Sequence, residues 1–188
     1  MRGDVRIVAG LAAPYLAQGL AYGFMGWVVV PTLAARGVPL ADQAWVLAAG
    51  GLPWVAKAAF GPWLDRHRRG SGQRPDPRRS VALASVVAAG CAALLGTAAA
   101  SDHGAAVAVL AVLWLVHNVA LALQDAATDA LVLDVVPPAR RGRVAAALLG
   151  AHHVGAEAIA GMLLGAAVGA AGLGTGAWIE AALVLLLG

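Results

Sequence analysis

Residues 106–134 read AVAVLAVLWLVHNVALALQDAATDALVLD, and this stretch decides the fold. A bilayer core of about 30 Å is crossed by roughly 20 apolar residues in a helix. The run exceeds that length, and its only charged residues are Asp125, Asp129 and Asp134. The whole chain is similar in character, since 61% of its residues are hydrophobic and only 12% are charged, against about 25% charged in soluble domains. The composition predicts an integral membrane protein built of helices.

Applied outward from this run, the same length criterion divides the chain into five complete spans and one incomplete span. The breaks between them are short and rich in glycine, proline and arginine. The last apolar run, Trp178–Gly188, covers only about 16 Å at about 1.5 Å per residue. We therefore expect either a fragment of a longer protein or a final helix completed by a partner. The prediction is an all-α polytopic bundle with spans near residues 7–30, 42–64, 80–100, 106–134, 144–169 and 177–188.

The arginines lie in alternate loops, which predicts the orientation. Eleven fall before the first span, between the second and third, or between the fourth and fifth, whereas only Arg36 falls on the opposite side. Cytoplasmic loops are enriched in Lys and Arg, so we expect a cytoplasmic N-terminus in an inner (plasma) membrane. The net charge of +3 follows from these loops and does not indicate a nucleic-acid partner. Cys91 is the only cysteine, so no internal disulfide is predicted.

Ionisable side chains inside the spans are the first candidates for function, because each costs about 2.5–3.5 kcal/mol to insert. At about 100° per residue, Asn118, Asp125 and Asp129 fall within about 40° of one another on one helix face. Gln124, Thr128 and His117 widen that face. Two interpretations stay open: a cavity wall whose carboxylates bind a proton or cationic group, and a structural ion pair that joins two helices.

Lys57 is the expected partner of these carboxylates. It lies eight residues before Asp65, and Asp129 lies eight before Pro137, which puts both about 12 Å inside the membrane at about 1.5 Å per residue. A nearby opposite charge keeps both groups ionised. We predict that Asp129 is the better partner and that Asp125, one turn deeper, is freer to titrate.

Residue spacing on the first and fifth spans predicts one helix face that lines a substrate site and one that packs against other helices. Tyr15, Gln18 and Tyr22 fall within an arc of about 60° on the first span, which favours a substrate-lining stripe slightly over plain packing. In the fifth span the glycines have the small-xxx-small spacing that permits close approach of helix backbones. We expect them to pack against another bundle. These glycines are Gly161, Gly165 and Gly169.

Two enzyme-like patterns are weaker. Asp125, Asp129 and Asp134 are similar to the magnesium-binding aspartate motifs of membrane prenyltransferases and CDP-alcohol phosphotransferases, but their spacing fits neither motif. His153 and Glu157 are four residues apart and match no zinc-helix motif. We predict no catalytic residues, no metal and no organic cofactor.

The segment Gly61–Arg69, GPWLDRHRR, resembles the loop signature G-x-L-A-D-R-x-G-R of the major facilitator superfamily. Gly61, Asp65, Arg66 and Arg69 match it, whereas Trp63, Leu64 and Arg68 depart. Pro138–Arg143 is similar to the second cytoplasmic loop of that superfamily.

Two more segments resemble one branch of that superfamily. Leu52–Lys57 and Gln124–Ala130 are similar to segments of muropeptide permeases, acetyl-CoA transporters and certain siderophore importers. The proline-containing fifth-span signature of drug and proton antiporters is missing.

The resemblance implies the N-terminal half of a twelve-helix secondary transporter, with substrate bound between two six-helix halves. We therefore expect a proton-coupled importer of a small polar or anionic solute that works with a second half. The rival expectation is a non-transporting assembly factor of the same superfamily. Candidate substrate- or proton-binding residues are Asp125, Asp129, Lys57, Tyr15, Gln18, Tyr22, Asn118 and Gln124. Candidate gating residues are Asp65, Arg66, Arg69, Arg141 and Arg143.

Overall fold

The protein is a bundle of helices. A computed structural model describes residues 2–70, 76–99 and 105–188, with side chains described for 7–60, 62, 76–98 and 107–188. Those residues contain no strand, which confirms the predicted all-helical class. The helices are α1 (Arg2–Gly23), π1 (Phe24–Val29), α2 (Val30–Ala35), α3 (Leu40–Gly70), α4 (Pro77–Ala99), α5 (Ala105–Val135), α6 (Arg141–His153), π2 (Val154–Leu164), α7 (Gly165–Ala171) and α8 (Leu173–Leu187).

Two long helices each contain a π-helical segment. The first runs without a break through α1, π1 and α2, and the second through α6, π2 and α7. Each ends next to a glycine with positive φ, Gly37 at 75° and Gly172 at 86°. Because L residues with a side chain rarely adopt this conformation, glycine allows the chain to turn sharply into the next helix.

Within residues 2–70, 76–99 and 105–188, four helical stretches are long and apolar enough to cross a membrane, which indicates a membrane protein by length and composition. They are Ile7–Ala35, Pro77–Ala98, Val107–Val135 and Pro138–Ala171. The sixth predicted span corresponds to a shorter apolar helix, Leu173–Leu187. The second predicted span lies within α3, which has 31 residues but is not among the four. Helix α3 is less apolar than those four stretches because it contains tryptophans, paired glycines and Lys57.

Neighbouring helices alternate in direction along the chain. Helix α3 runs parallel to α5, and α4 runs antiparallel to both α5 and α8. Helix α1 runs parallel to α6 and π2. Two contacts establish each direction. For α3 and α5 they are Gly50 with Trp114 and Trp54 with Asn118, and for α4 and α5 they are Ala88 with His117 and Ser85 with Gln124. For α4 and α8 they are Gly96 with Gly174 and Ser85 with Gly188, and for α1 with α6 and π2 they are Gly19 with His152 and Gly23 with Ala156. The start of α1, the end of α3, the start of α4, the end of α5 and the start of α6 therefore share one end of the bundle.

Helix α1 packs backbone to backbone against α6 and π2 through glycines that were not among the predicted packing positions. A Cβ on Gly155 would lie 2.2 Å from the carbonyl oxygen of Leu16, and one on Gly23 would lie 2.2 Å from that of Ala156. Backbones this close exclude any side chain at these positions. Of the predicted packing glycines, Gly161 and Gly165 only approach side chains of π1 and Gly169 has nothing within 4 Å. The small-xxx-small pair that matters within the bundle is Gly19 and Gly23.

Candidate functional site

An ion cluster joins three helices: α3 supplies Lys57, α5 supplies Asp125 and Asp129, and α1 supplies Tyr15. The Lys57 ammonium donates to Oδ2 of Asp125 and, at 3.1 Å, to Oδ2 of Asp129. The Tyr15 hydroxyl donates to Oδ1 of Asp129 at 2.6 Å. The two aspartates can share one lysine because they are one helical turn apart on the same face of α5.

Lys57 pairs with both aspartates of α5, so the predicted preference for Asp129 stays a prediction. The side chain of Asp125 is 5% exposed, whereas that of Asp129 is 47% exposed. The long stem of a lysine lets its ammonium reach carboxylates one helical turn apart. Asp129 is therefore the accessible carboxylate of the cluster, and Asp125 is the sealed one.

The charge of the cluster does not cancel. With all three groups ionised, one positive and two negative charges leave an excess of one negative charge beside apolar helices. Such an excess attracts a cationic group to the accessible carboxylate. Lys57, whose side chain is 31% exposed, also offers an ammonium to an anionic ligand at the same opening.

Asn118 lies on the same face, two turns from Asp125, and is held by its neighbours. Its Oδ1 accepts from Nε1 of Trp54 at 2.8 Å, and its Nδ2 donates to the carbonyl oxygen of Trp114 at 2.9 Å. Asn118 is buried while Trp54 is 37% exposed. The side chain at the surface here is therefore Trp54, which lies in the Leu52–Lys57 segment quoted above but was not predicted as a site residue.

Gln18 and Gln124 do not line an accessible face, contrary to prediction. Nε2 of Gln18 donates to Oε1 of Gln124 at 3.2 Å, and Nε2 of Gln124 donates to Oγ of Ser85 at 2.7 Å. Both glutamines and Ser85 are buried. The three side chains form a polar chain through α1, α5 and α4. The predicted stripe of Tyr15, Gln18 and Tyr22 is therefore not uniformly accessible, since Gln18 is buried and Tyr22 is exposed. The angular position of a residue on its helix does not tell which part of that face a neighbouring helix covers.

Tyr22 is on the accessible side of α1. It is 65% exposed, and its ring centroid lies 6.0 Å from that of His152 on α6. His152 was not among the predicted site residues, and no sequence pattern connects it with Tyr22. The two meet because α1 and α6 approach at Gly19, where a Cβ would lie 1.9 Å from the His152 carbonyl oxygen.

The predicted gating residues receive only a partial description. The side chains of Asp65, Arg66 and Arg69 lie outside the described ones. Nε and Nη2 of Arg141 donate to the carbonyl oxygens of Val136 and Leu133 at 3.1 and 3.0 Å. An arginine on the last carbonyls of a helix satisfies otherwise unpaired acceptors, so Arg141 fixes the turn between α5 and α6. Arg143 is exposed.

A cavity of about 510 Å³ lies at the arginine-bearing end of the bundle, and Lys57 is not among its lining residues. Apolar side chains of α1, α4 and α5 line it, together with Arg78 and Thr128. The ion cluster is therefore not part of this cavity and lies on an open face.

No protein-family model matches the chain. The candidate site consequently rests on its own geometry: an accessible carboxylate and ammonium, a sealed carboxylate and a tyrosine hydroxyl, bordered by Trp54, Tyr22 and His152.

Proposed function

We propose that the protein is the N-terminal half of a secondary active transporter of the major facilitator type, a proton-coupled importer of a small polar or anionic solute. The observation that supports this most is the ion cluster of Lys57, Asp125, Asp129 and Tyr15 on an open face of an apolar bundle. A second six-helix half on that face would enclose the cluster between the halves, where such transporters bind substrate. The solute would be of the muropeptide, siderophore or CoA type.

The helix directions also support the proposal. The six passes that we propose, the last through the short α8, would bring the arginine-rich segments to one end of the bundle. By the enrichment of cytoplasmic loops in arginine, that end would face the cytoplasm of a bacterial inner membrane. The N-terminus of α1 would lie on the same side.

The two rival functions fit the site less well. A magnesium-dependent transferase needs its carboxylates free to hold the metal, whereas Asp125 and Asp129 share the Lys57 ammonium and Asp134 is exposed at the end of α5. An assembly factor has no need of an accessible charged group inside the membrane, whereas this site has one in Asp129. Both rivals predict no solute exchange.

The test is solute counterflow across vesicles prepared from the native membrane, with muropeptide, siderophore and CoA-type compounds as probes. Exchange of one class by the wild type, reduced at least about tenfold by Asp129→Asn, is the expected result. The matched control Asp134→Asn removes an exposed carboxylate from the same helix and should retain exchange. Absence of exchange for every probe, with the protein folded in the membrane, would favour the assembly factor.

A further inference from the structure

A second polar pair lies in the apolar core, away from the ion cluster. His117 on α5 and Glu180 on α8 are 0% and 1% exposed, and Nε2 of the histidine lies 3.8 Å from Oε1 of the glutamate. Among the residues that the structure describes, neither atom has a hydrogen-bond partner. Trp114 stacks on the His117 ring at 5.2 Å between centroids. Glu180 borders a cavity of about 10 Å³ whose other lining residues are apolar, which is room for about one water molecule.

The hydrogen bond on the other side of the ring sets the tautomer of His117. Nδ1 lies 2.9 Å from the carbonyl oxygen of Ala88 on α4. A carbonyl only accepts hydrogen bonds, so Nδ1 must carry a hydrogen, and Nε2 of a neutral ring is then an acceptor. An ionised carboxylate is also only an acceptor. Without one more proton, two buried acceptors would face each other and both would stay unsatisfied.

We propose that His117 and Glu180 form a site that binds one proton. With the proton on Oε1, the carboxylic acid donates to Nε2 of the imidazole; with the proton on Nε2, the imidazolium donates to the carboxylate. The pair is neutral overall in either form. A side-chain movement of about 1 Å brings the two atoms into hydrogen-bond range. Loss of the proton leaves a lone carboxylate among apolar side chains, which is unfavourable without a compensating charge.

The site is separate from the Lys57 cluster. His117 and Asp125 are two turns apart on α5, and His117 bonds to α4 while Asp125 pairs with α3. Within the described part of the chain, no hydrogen bond or ion pair joins another titratable group to His117 or Glu180. Among the described side chains, the titratable and charged groups on α1, α3, α4, α5 and π2 are Tyr15, Tyr22, Asp42, Lys57, Arg78, Arg79, Cys91, Asp125, Asp129, Asp134 and Glu157.

The consequence is a proton-dependent link between α5 and α8. When protonated, the pair holds the last helix to the centre of the bundle by a hydrogen bond; when it loses the proton, that bond is lost. The inference goes beyond the proposed transport and does not depend on it, because the pair is described by its contacts alone.

The test uses the purified chain in lipid nanodiscs at neutral pH. Nitrogen-15 NMR of labelled histidines reports the protonation of each ring nitrogen of His117, assigned by loss of its signals in His117→Gln. Infrared spectroscopy reports the C=O stretch of a protonated carboxylic acid. Glu180→Gln keeps the shape and a donor for Nε2, so it should fold. Glu157→Gln is the matched control, since it removes an exposed carboxylate from π2.

Two results would support the site. One is a carboxylic-acid band that is lost in Glu180→Gln and kept in Glu157→Gln, with His117 neutral and protonated at Nδ1. The other is a doubly protonated His117 that becomes neutral in Glu180→Gln. A neutral His117 beside an ionised Glu180 in the wild type would overturn the proposal, and the wild-type spectra decide this even if a variant does not fold.

Discussion

Replacement of Lys57 by methionine is the sharpest test of the ion cluster. Methionine keeps an unbranched apolar stem of similar length and removes the ammonium that contacts Asp125 and Asp129. Asp125 then becomes a buried carboxylate without its cation. Asp129 stays partly exposed and keeps the Tyr15 hydroxyl as a donor. We expect the loss of stability to come mainly from Asp125.

The burial of each partner sets the magnitude. Removing one partner of a fully buried pair costs about 3–5 kcal/mol, whereas exposed pairs contribute about 0–1 kcal/mol. Here Asp125 is 5% exposed, Lys57 31% and Asp129 47%. We therefore expect Lys57→Met to lower the free energy of unfolding by about 2–3 kcal/mol, intermediate between these limits.

The assay is reversible unfolding in mixed detergent micelles, followed by helical circular dichroism, for the single and double variants. Lys57→Met with Asp125→Asn should recover about half or more of the lost stability, because the amide leaves no unpaired charge. Lys57→Met with Asp129→Asn should recover less. Equal recovery by both aspartate variants, or none by Asp125→Asn, would refute the argument that the sealed carboxylate dominates.

Three further predictions test the helix contacts and the topology. Gly155→Leu should destabilise the protein by at least about 2 kcal/mol through overpacking, because the neighbouring backbone lies 2.2 Å from its Cβ position; Gly169→Leu, with open space around it, should leave the unfolding midpoint nearly unchanged. Gln124→Leu should lower the free energy of unfolding by about 1–3 kcal/mol in the same assay, since it leaves the buried Nε2 of Gln18 without its acceptor and Oγ of Ser85 without its donor. An unchanged unfolding midpoint would show that the Gln18–Gln124–Ser85 chain does not stabilise the bundle. Single cysteines at Ser71 and Ser101 in a cysteine-free background should react with an impermeant thiol reagent from opposite sides of the membrane; labelling from one side would disprove the proposed topology.

Part of the candidate site could be predicted from the sequence. A lysine and two aspartates inside apolar spans are rare, and their helix spacing brings the aspartates to one face. The structure places all three together with Tyr15. The difference in burial between Asp125 and Asp129 and the burial of Gln18 and Gln124 could not be predicted, because they depend on which helix covers which part of a face. The His117–Glu180 pair joins residues 63 positions apart in the chain, and nothing in the local pattern connects them.

The sequence alone determined that this is a helical membrane protein and which of its residues are costly to bury. Hydropathy and helix length are local properties, because each backbone hydrogen bond of a helix closes within four residues and each apolar side chain partitions into lipid largely by itself. Only the tertiary structure decided that Gly19, Gly23 and Gly155 make the close contacts of α1 with α6 and π2, that Lys57 contacts Asp125 as well as Asp129, and that His117 faces Glu180. Those outcomes depend on the rotation and axial position of each helix against its neighbours. Rotation and position are set by the sum of many packing contacts, which no single stretch of sequence contains.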